Sequence, residues 1–169
     1  FNFAYDVIDR VAAIEPHRRA MFWCNEDGQE HTFSFRDMKL KSDACASFFQ
    51  QQGIKKGDKV MLILKRHYQF WFAILALHKI GAVAIPATNQ LQVKDLVYRF
   101  KAAEVSAIVC TSDGDISELV DQAADQYEHK IKKMMVKGER KGWLSFEKGL
   151  DQAPAFARPV AADAPGNHD

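Results

Sequence analysis

GDKVMLILKRHYQFWFAILALHKIGAVAIPATNQL, residues Gly57 to Leu91, decides how this sequence folds. The five consecutive apolar residues Val60-Met61-Leu62-Ile63-Leu64 predict a strand covered on both faces, as in the middle of a parallel sheet. Tyr68 to Lys79 is apolar almost all round, which predicts a helix buried on several sides. Gly81 supplies the left-handed stop of that helix, and Ala82 to Ile85 is the next short strand. Pro86 has no N–H to give to a ladder, so pairing should end near it. The unit closes on the polar loop Ala87 to Gln92, which leads into a helix carrying Val93, Leu96, Val97 and Phe100 on one side.

The same plan continues toward the C-terminus. Val105 to Cys110 reads as a strand and Thr111 to Gly114 as a loop. Ile116, Leu119, Val120, Ala123, Ala124 and Tyr127 then trace one helical stripe. Ile131 to Val136 is a further strand, despite its lysines. Strands alternating with helices predict a mainly parallel α/β sheet with flanking helices. Toward the N-terminus, Ala4, Val7, Ile8, Val11 and Ala12 mark an amphipathic helix ending at Pro16. Ala20 to Cys24 and Glu30 to Phe35 flank the turn formers Asn25 to Gln29, which predicts a β-hairpin. Ser34-Phe35-Arg36-Asp37 has the form of a capping box, opening a helix that buries Met38, Cys45, Phe48 and Phe49 and stops at Gly53-Ile54. Residues 1–150 thus form one domain, and the Ala/Pro-rich run 151–169 (Pro154, Pro159, Pro165, Gly166) reads as a linker.

The totals narrow the function classes. With 169 residues, 23 basic and 22 acidic side chains and a net charge of +1, no overall field points to nucleic acid or an anionic membrane. Cys24, Cys45 and Cys110 are odd in number and lack C-x-x-C spacing, which favours a reducing cytoplasm over a disulfide framework. Phe1 to Asp9 has no signal-peptide pattern. The apolar run Met61 to Leu77 is broken by Lys65, Arg66 and His67, so a soluble chain without a membrane span is expected.

Direct signals for chemistry are few. If the three strands are parallel, the loops after Leu64, Ile85 and Cys110 share one sheet edge, where ligands bind in such folds. Gly53 to Lys59 precedes a strand instead of following one, so it is a turn and not a phosphate loop. Histidines 17, 31, 67, 78, 129 and 168 lack metal-ligand spacing, and His67 and His78 read as packed side chains. No serine sits in a nucleophile elbow, no carboxylate pair stands out, and Lys130, Lys132, Lys133, Lys137, Arg140 and Lys141 read as a solvated face. No catalytic and no metal residue is assigned.

Three segments resemble the N-terminal region of the AMP-forming acyl-CoA synthetases of the adenylate-forming superfamily. His31-Thr32-Phe33-Ser34-Phe35-Arg36-Asp37 is similar to that family's strand-to-helix entry. Gly53-Ile54-Lys55-Lys56-Gly57-Asp58-Lys59-Val60 is similar to its G-(I/V)-x-x-G-D-x-V turn. Ala76 to Pro86 is similar to its G-A-x-x-x-P passage. Gly81 to Gln90, Asp95 to Arg99 and Gly142 to Leu144 resemble the medium-chain branch. The resemblance implies the N-terminal subdomain of the adenylate-forming fold, and a parent enzyme that uses ATP, Mg2+ and CoA. Such an enzyme converts a carboxylic acid, here a medium-chain fatty acid, into an acyl-adenylate and then a thioester. It further implies that Thr88, Asn89 and Gln90, with Gln90 foremost, lie on the CoA side, and that Ser112-Asp113-Gly114 is a second CoA-side segment. The phosphate loop and the small C-terminal domain are expected beyond Asp169. This chain's partner is then the remainder of its own polypeptide, and alone it is expected to be inactive. A free-standing flavodoxin-like nucleotide-binding module, or a regulatory or interaction module, is the alternative that the residues themselves leave open.

Overall fold

In the computed structural model, residues 1–165 are described. Gly166 and His168, counted above in the linker and among the histidines, lie outside them. A two-stranded antiparallel sheet is formed by β1 (Arg19–Cys24) and β2 (Glu30–Ser34). A five-stranded sheet runs in the order β4-β3-β5-β6-β7, with β3 Lys59–Ile63, β4 Val83–Pro86, β5 Val105–Thr111, β6 Lys132–Val136 and β7 Leu144–Ser145. Every neighbouring pair in the larger sheet is parallel. The fold is therefore α/β with an appended hairpin, as the alternation of apolar runs predicts.

The apolar run of β3 is explained by what covers it. Val60, Leu62 and Leu64 point into one core with Ala107, Val109, Met134 and Val136, beneath α2 (Phe35–Gln51), α3 (Gln69–Ile80) and α6 (Phe146–Asp151). Met61 and Ile63 point the other way, with Ile108 and Cys110, beneath α4 (Val93–Ala103) and α5 (Ile116–Ala124). Alternate side chains of one strand thus feed two separate cores, and each fully buried Leu or Ile contributes about 1.5–3 kcal/mol.

The ends of the elements follow local chemistry. Ser34 Oγ accepts the Asp37 N–H at 3.2 Å while the Ser34 N–H donates to the Asp37 carboxylate at 2.9 Å, completing the capping box. The Ser34 hydroxyl and N–H together hold the Asp37 carboxyl below its ordinary value. Gly53 (φ 72) closes α2, with the Ile54 N–H donating to the Phe49 carbonyl at 3.0 Å. Gly81 (φ 70) closes α3 in the same way. Pro86 is the last paired residue of the edge strand β4, opposite Leu62.

Three features depart from the sequence expectation. Ala4–Asp9 is wound as a π-helix before α1 (Arg10–Ile14), the Arg10 N–H reaching back to the Tyr5 carbonyl. The wider turn changes the phase, so Tyr5 joins Ala4, Ile8 and Ala12 in the interior while Val7 and Val11 are only half-buried. The stripe after β5 stays helical only to Ala124, short of Tyr127. The short β7 and α6 were not expected, and they complete the sheet edge. The Ala/Pro-rich run beyond Asp151 holds one 3-10 turn, Ala161–Asp163. It lies back against the domain: Ala153 and Phe156 pack on the first core, Arg158 stacks 3.7 Å from the Tyr5 ring centroid, and Lys56 Nζ donates to the Ala164 carbonyl at 2.9 Å.

The apolar helix α3 carries one charge inward. Lys79 is fully buried, and its Nζ donates to Asp9 at 2.8 Å and Asp43 at 2.6 Å, while Tyr5 Oη donates to the Lys79 carbonyl at 2.8 Å. One ammonium thereby joins the N-terminal helix, α2 and α3. Burial pushes the Asp9 carboxyl above its ordinary value despite the Lys79 bond, and pushes the Tyr5 phenol up to about 12.

Candidate functional site

Because β4, β3, β5 and β6 run parallel, the segments after them emerge at one edge of the sheet. The condition set by the sequence is met: the loops after Leu64, Ile85 and Cys110 are neighbours. They border an open groove of about 1130 Å³, floored by Leu62, Leu64, Pro86 and Ala87. The opposite wall is the hairpin, through Trp23, Cys24, Asn25, Glu26, Asp27 and Gln29.

Aromatic packing holds that wall in place. Tyr68, at the start of α3, meets Trp23 edge-on at 5.2 Å, His31 at 5.0 Å and Phe33 at 5.1 Å between ring centroids. Phe33 continues the stack onto Phe72 at 5.4 Å. The Trp23 indole N–H donates to the Arg66 carbonyl, tying the hairpin to the loop after β3. Asn25 shapes the hairpin tip, its side-chain oxygen accepting the N–H groups of Asp27 at 3.1 Å and Gln29 at 2.9 Å.

His67 joins two of the edge loops. Its Nε2 lies 2.8 Å from Thr111 Oγ1 and 3.1 Å from the Asp113 carboxylate, and the side chain is only 10% exposed. The reading of His67 as a packed, hydrogen-bonded histidine holds. Its partners, the last residue of β5 and a residue of the loop after it, lie more than 40 residues away. Lys65 Nζ sits 3.7 Å from the same Asp113 carboxylate, and Arg66 is 3.5 Å from Glu26.

At the end of β6, Lys137 donates its N–H to the Glu147 carboxylate, at 3.3 and 3.2 Å from the two oxygens. Its carbonyl accepts the Ser112 hydroxyl at 2.6 Å. Its ammonium lies over the Trp23 ring at 5.3 Å and the Tyr68 ring at 5.7 Å. Lys137 was grouped with the solvated basic face, and here it lines the groove. Lys133 and Arg140 also leave that face: both bond Asp121 at 2.5 Å, together with the Trp143 indole N–H at 2.9 Å. Burial raises the Asp121 carboxyl, but those three donors outweigh it and leave the group below its ordinary value.

Of the residues expected on the CoA side, Thr88 and Asn89 line the groove. Gln90 is exposed beside it, its N–H donating to Thr88 Oγ1 at 3.3 Å. Asp113, from the second expected segment, also lines the groove. The sequence reading missed the contribution of Trp23, Asn25 and Lys137. The alternation in β2 signalled that one face of the hairpin was covered, but not by what. Among the described residues, no group of three or more His, Cys, Asp or Glu is placed to hold a metal ion. No helix among them is long and apolar enough to cross a membrane. The arrangement can bind: it offers neutral amide and hydroxyl groups at one end and cationic groups at the other.

Comparison with known proteins gives this edge a family. The family described as "AMP-binding enzyme" matches residues 8–168. The rat protein "Acyl-coenzyme A synthetase ACSM5, mitochondrial" is 34% identical over 156 residues, covering 89% of this chain and 27% of its own length. A benzoate CoA ligase from Burkholderia xenovorans LB400 superposes with a TM-score of 0.77 at 18% identity, over 96% of this chain and 30% of that one. A Rhodopseudomonas palustris chain, proposed to be a long-chain-fatty-acid CoA ligase, superposes with a TM-score of 0.81 at 22% identity, over 95% and 39%. The chain spans little more than a quarter of the length of the curated relatives it matches. With the family pattern covering residues 8–168 of 169, this chain belongs to the AMP-binding enzymes.

Proposed function

We propose that the chain is the N-terminal part of an ATP-dependent acyl-CoA synthetase that adenylates a medium-chain fatty acid and passes the acyl group to CoA. The observation that carries this reading is the 34% identity over 89% of the chain to a protein named as an acyl-CoA synthetase. That match takes in most of the chain, which favours the synthetase over a free-standing module. Adenylation turns a carboxylate into an acyl group with a good leaving group, and the thiol then displaces AMP. In this scheme the residues of this chain bind and orient CoA; ATP and Mg2+ are assigned to the remainder of the polypeptide. The Thr88 hydroxyl, the Asn89 amide and the adjacent Gln90 amide offer donors and acceptors in alternation, which suits the two amides of pantetheine. Cys24, Cys45 and Cys110 are all free thiols, which fits a reducing compartment, either the cytoplasm or a mitochondrial matrix.

The test is acid-dependent exchange of pyrophosphate into ATP by the full-length protein, across saturated acids of graded length, followed by thioester formation on adding CoA. A maximum at medium chain length is expected. Full-length protein without acid-dependent exchange would overturn the reading.

A further inference from the structure

We infer that the free border of β1 is a docking edge for one more strand, an apolar extended segment supplied by the remainder of the parent polypeptide. The inference rests on the reading above, that the chain is the N-terminal part of a longer protein, and adds a surface by which the two parts join.

The first observation is composition. β1 contains Ala20-Met21-Phe22-Trp23-Cys24, five apolar residues in succession, as Val60 to Leu64 do at β3. Such a run belongs to a strand covered on both faces, in the interior of a sheet. β2 is different: Glu30-His31-Thr32-Phe33-Ser34 sets one Phe among charged and polar residues, as suits a border strand. Yet β1 has a single neighbour, β2. Met21 packs against the cluster of Ile8, Met38 and Phe72, and Trp23 against Tyr68. On the opposite face Phe22 is 51% exposed, and Cys24 is exposed as well.

The second is the backbone. The Asn25 N–H donates to the Gln29 carbonyl at 3.1 Å and closes the hairpin. Counting back from that bonded pair, Trp23–His31 and Met21–Phe33 exchange hydrogen bonds, whereas Cys24–Glu30 and Phe22–Thr32 do not. The N–H and C=O groups of Phe22 and Cys24 therefore point away from β2. No backbone bond joins either residue to another segment among the described residues.

The third is the contrast with the other sheet borders. β4 carries Pro86, β7 is two residues long, and β2 begins on Glu30 and runs into the cap of α2. β1 has Arg19 and a register shift at its start, before Met21. From Met21 to Cys24 no charge, proline or bulge obstructs pairing. A two-stranded ribbon is marginal, and a third strand completes it. An apolar border of this kind calls for permanent cover, which a strand of the same polypeptide gives and a passing peptide does not. The length is there: the chain accounts for only 30% and 39% of the two ligases it superposes on.

Amide hydrogen exchange of the full-length protein, resolved to single residues across β1, tests the docking edge. Trp23 is bonded to β2 in either case and serves as the reference. With a strand docked, the Phe22 and Cys24 amides should exchange within about tenfold of Trp23; with the border free, they should be about a hundredfold or more faster. Their protection should not change on dilution. Phe22→Pro removes the outward N–H and should speed exchange at Cys24 by about tenfold or more, while Phe22→Ser keeps it and should leave Cys24 protected. If Phe22→Pro does not fold, the unsubstituted protein decides by itself. Fast exchange at Phe22 and Cys24 would overturn the inference. So would protection lost on dilution, which would make the occupant a second copy, or Cys24 protection that survives Phe22→Pro. Protected amides without acid-dependent pyrophosphate exchange would keep the docking edge and remove the proposed function; the reverse pair of results would keep the function and remove the edge.

Discussion

Lys79 and Lys137 are both lysines placed against aromatic rings, and they show two opposite uses of a charge. The Lys79 ammonium is sealed between helices, bonded to two carboxylates, and 5.9 Å from the Tyr5 ring. Lys137 lies at the open sheet edge, over Trp23 and Tyr68, with its backbone strained and its charge unpaired among the described residues. The first arrangement is complete and has nothing left to bind. The second is held rigid by its peptide groups while its ammonium stays available. Residue type is the same; the number of satisfied partners separates scaffold from candidate site.

The largest expected effect lies on the closed side. Lys79→Met leaves Asp9 and Asp43 facing each other without their shared cation, and should cost about 3–5 kcal/mol in urea unfolding. Converting both aspartates to asparagine in that background should recover much of the loss. A loss under about 1 kcal/mol for Lys79→Met alone would show that water reaches the node and that the two lysines differ less than described. Next comes Gly149→Ala in α6. A Cβ there would stand 2.4 Å from Phe48 Cε2, and Phe48 is packed in the first core. Overpacking of this kind costs about 1–3 kcal/mol.

The open side should respond with the other sign. Lys137→Gly relaxes a left-handed residue, and the relief competes with the added freedom of glycine in the unfolded chain. The unfolding free energy should change by no more than about 1 kcal/mol, toward greater stability. Clear destabilisation would mean that the Lys137 side chain is part of the scaffold, as Lys79 is. The smallest effect is in the pH profile. Asp37 is held below its ordinary value of 3.8, so the stability it contributes is present above that value and is lost as pH falls through the lowered one. Asp37→Asn should flatten that part of the acid limb. Asp9 is raised, so the folded state favours its protonated form and its contribution has the opposite sign, improving as pH falls. Urea midpoints measured between pH 2 and pH 5, roughly the range in which aspartates titrate, separate the two.

What the sequence disclosed and concealed divides along the same line. The Gly57 to Leu91 unit was readable because its signals are local: a continuous apolar run, an apolar helix, and glycines where φ must be positive. The sheet edge was readable too, once three strands were taken as parallel. Lys79 was hidden because its partners lie 70 and 36 residues earlier in the chain, and an apolar stripe with one lysine looks the same whether that lysine is buried or not. His67 depends on Thr111 and Asp113, and Lys137 on Trp23 and Glu147; no local spacing encodes such pairs. The two-residue strand β7 has no periodicity to detect. The π-turn at Ala4–Asp9 shifted a stripe that an ideal helix would have placed on Val7 and Val11.

Pro86 has a consequence outside ligand binding. β4 is the border of the sheet, and the Val83 and Ala87 N–H groups already turn inward, to the Asp58 carbonyl at 2.8 Å and the Leu62 carbonyl at 2.9 Å. By alternation the outward positions within the strand are Ala84 and Pro86, and only Ala84 has a hydrogen to offer. A second chain seeking to extend the sheet from that side would find one donor and then a ring. The residue that turns the chain toward Thr88 therefore also guards against aggregation during folding, when the border is least covered.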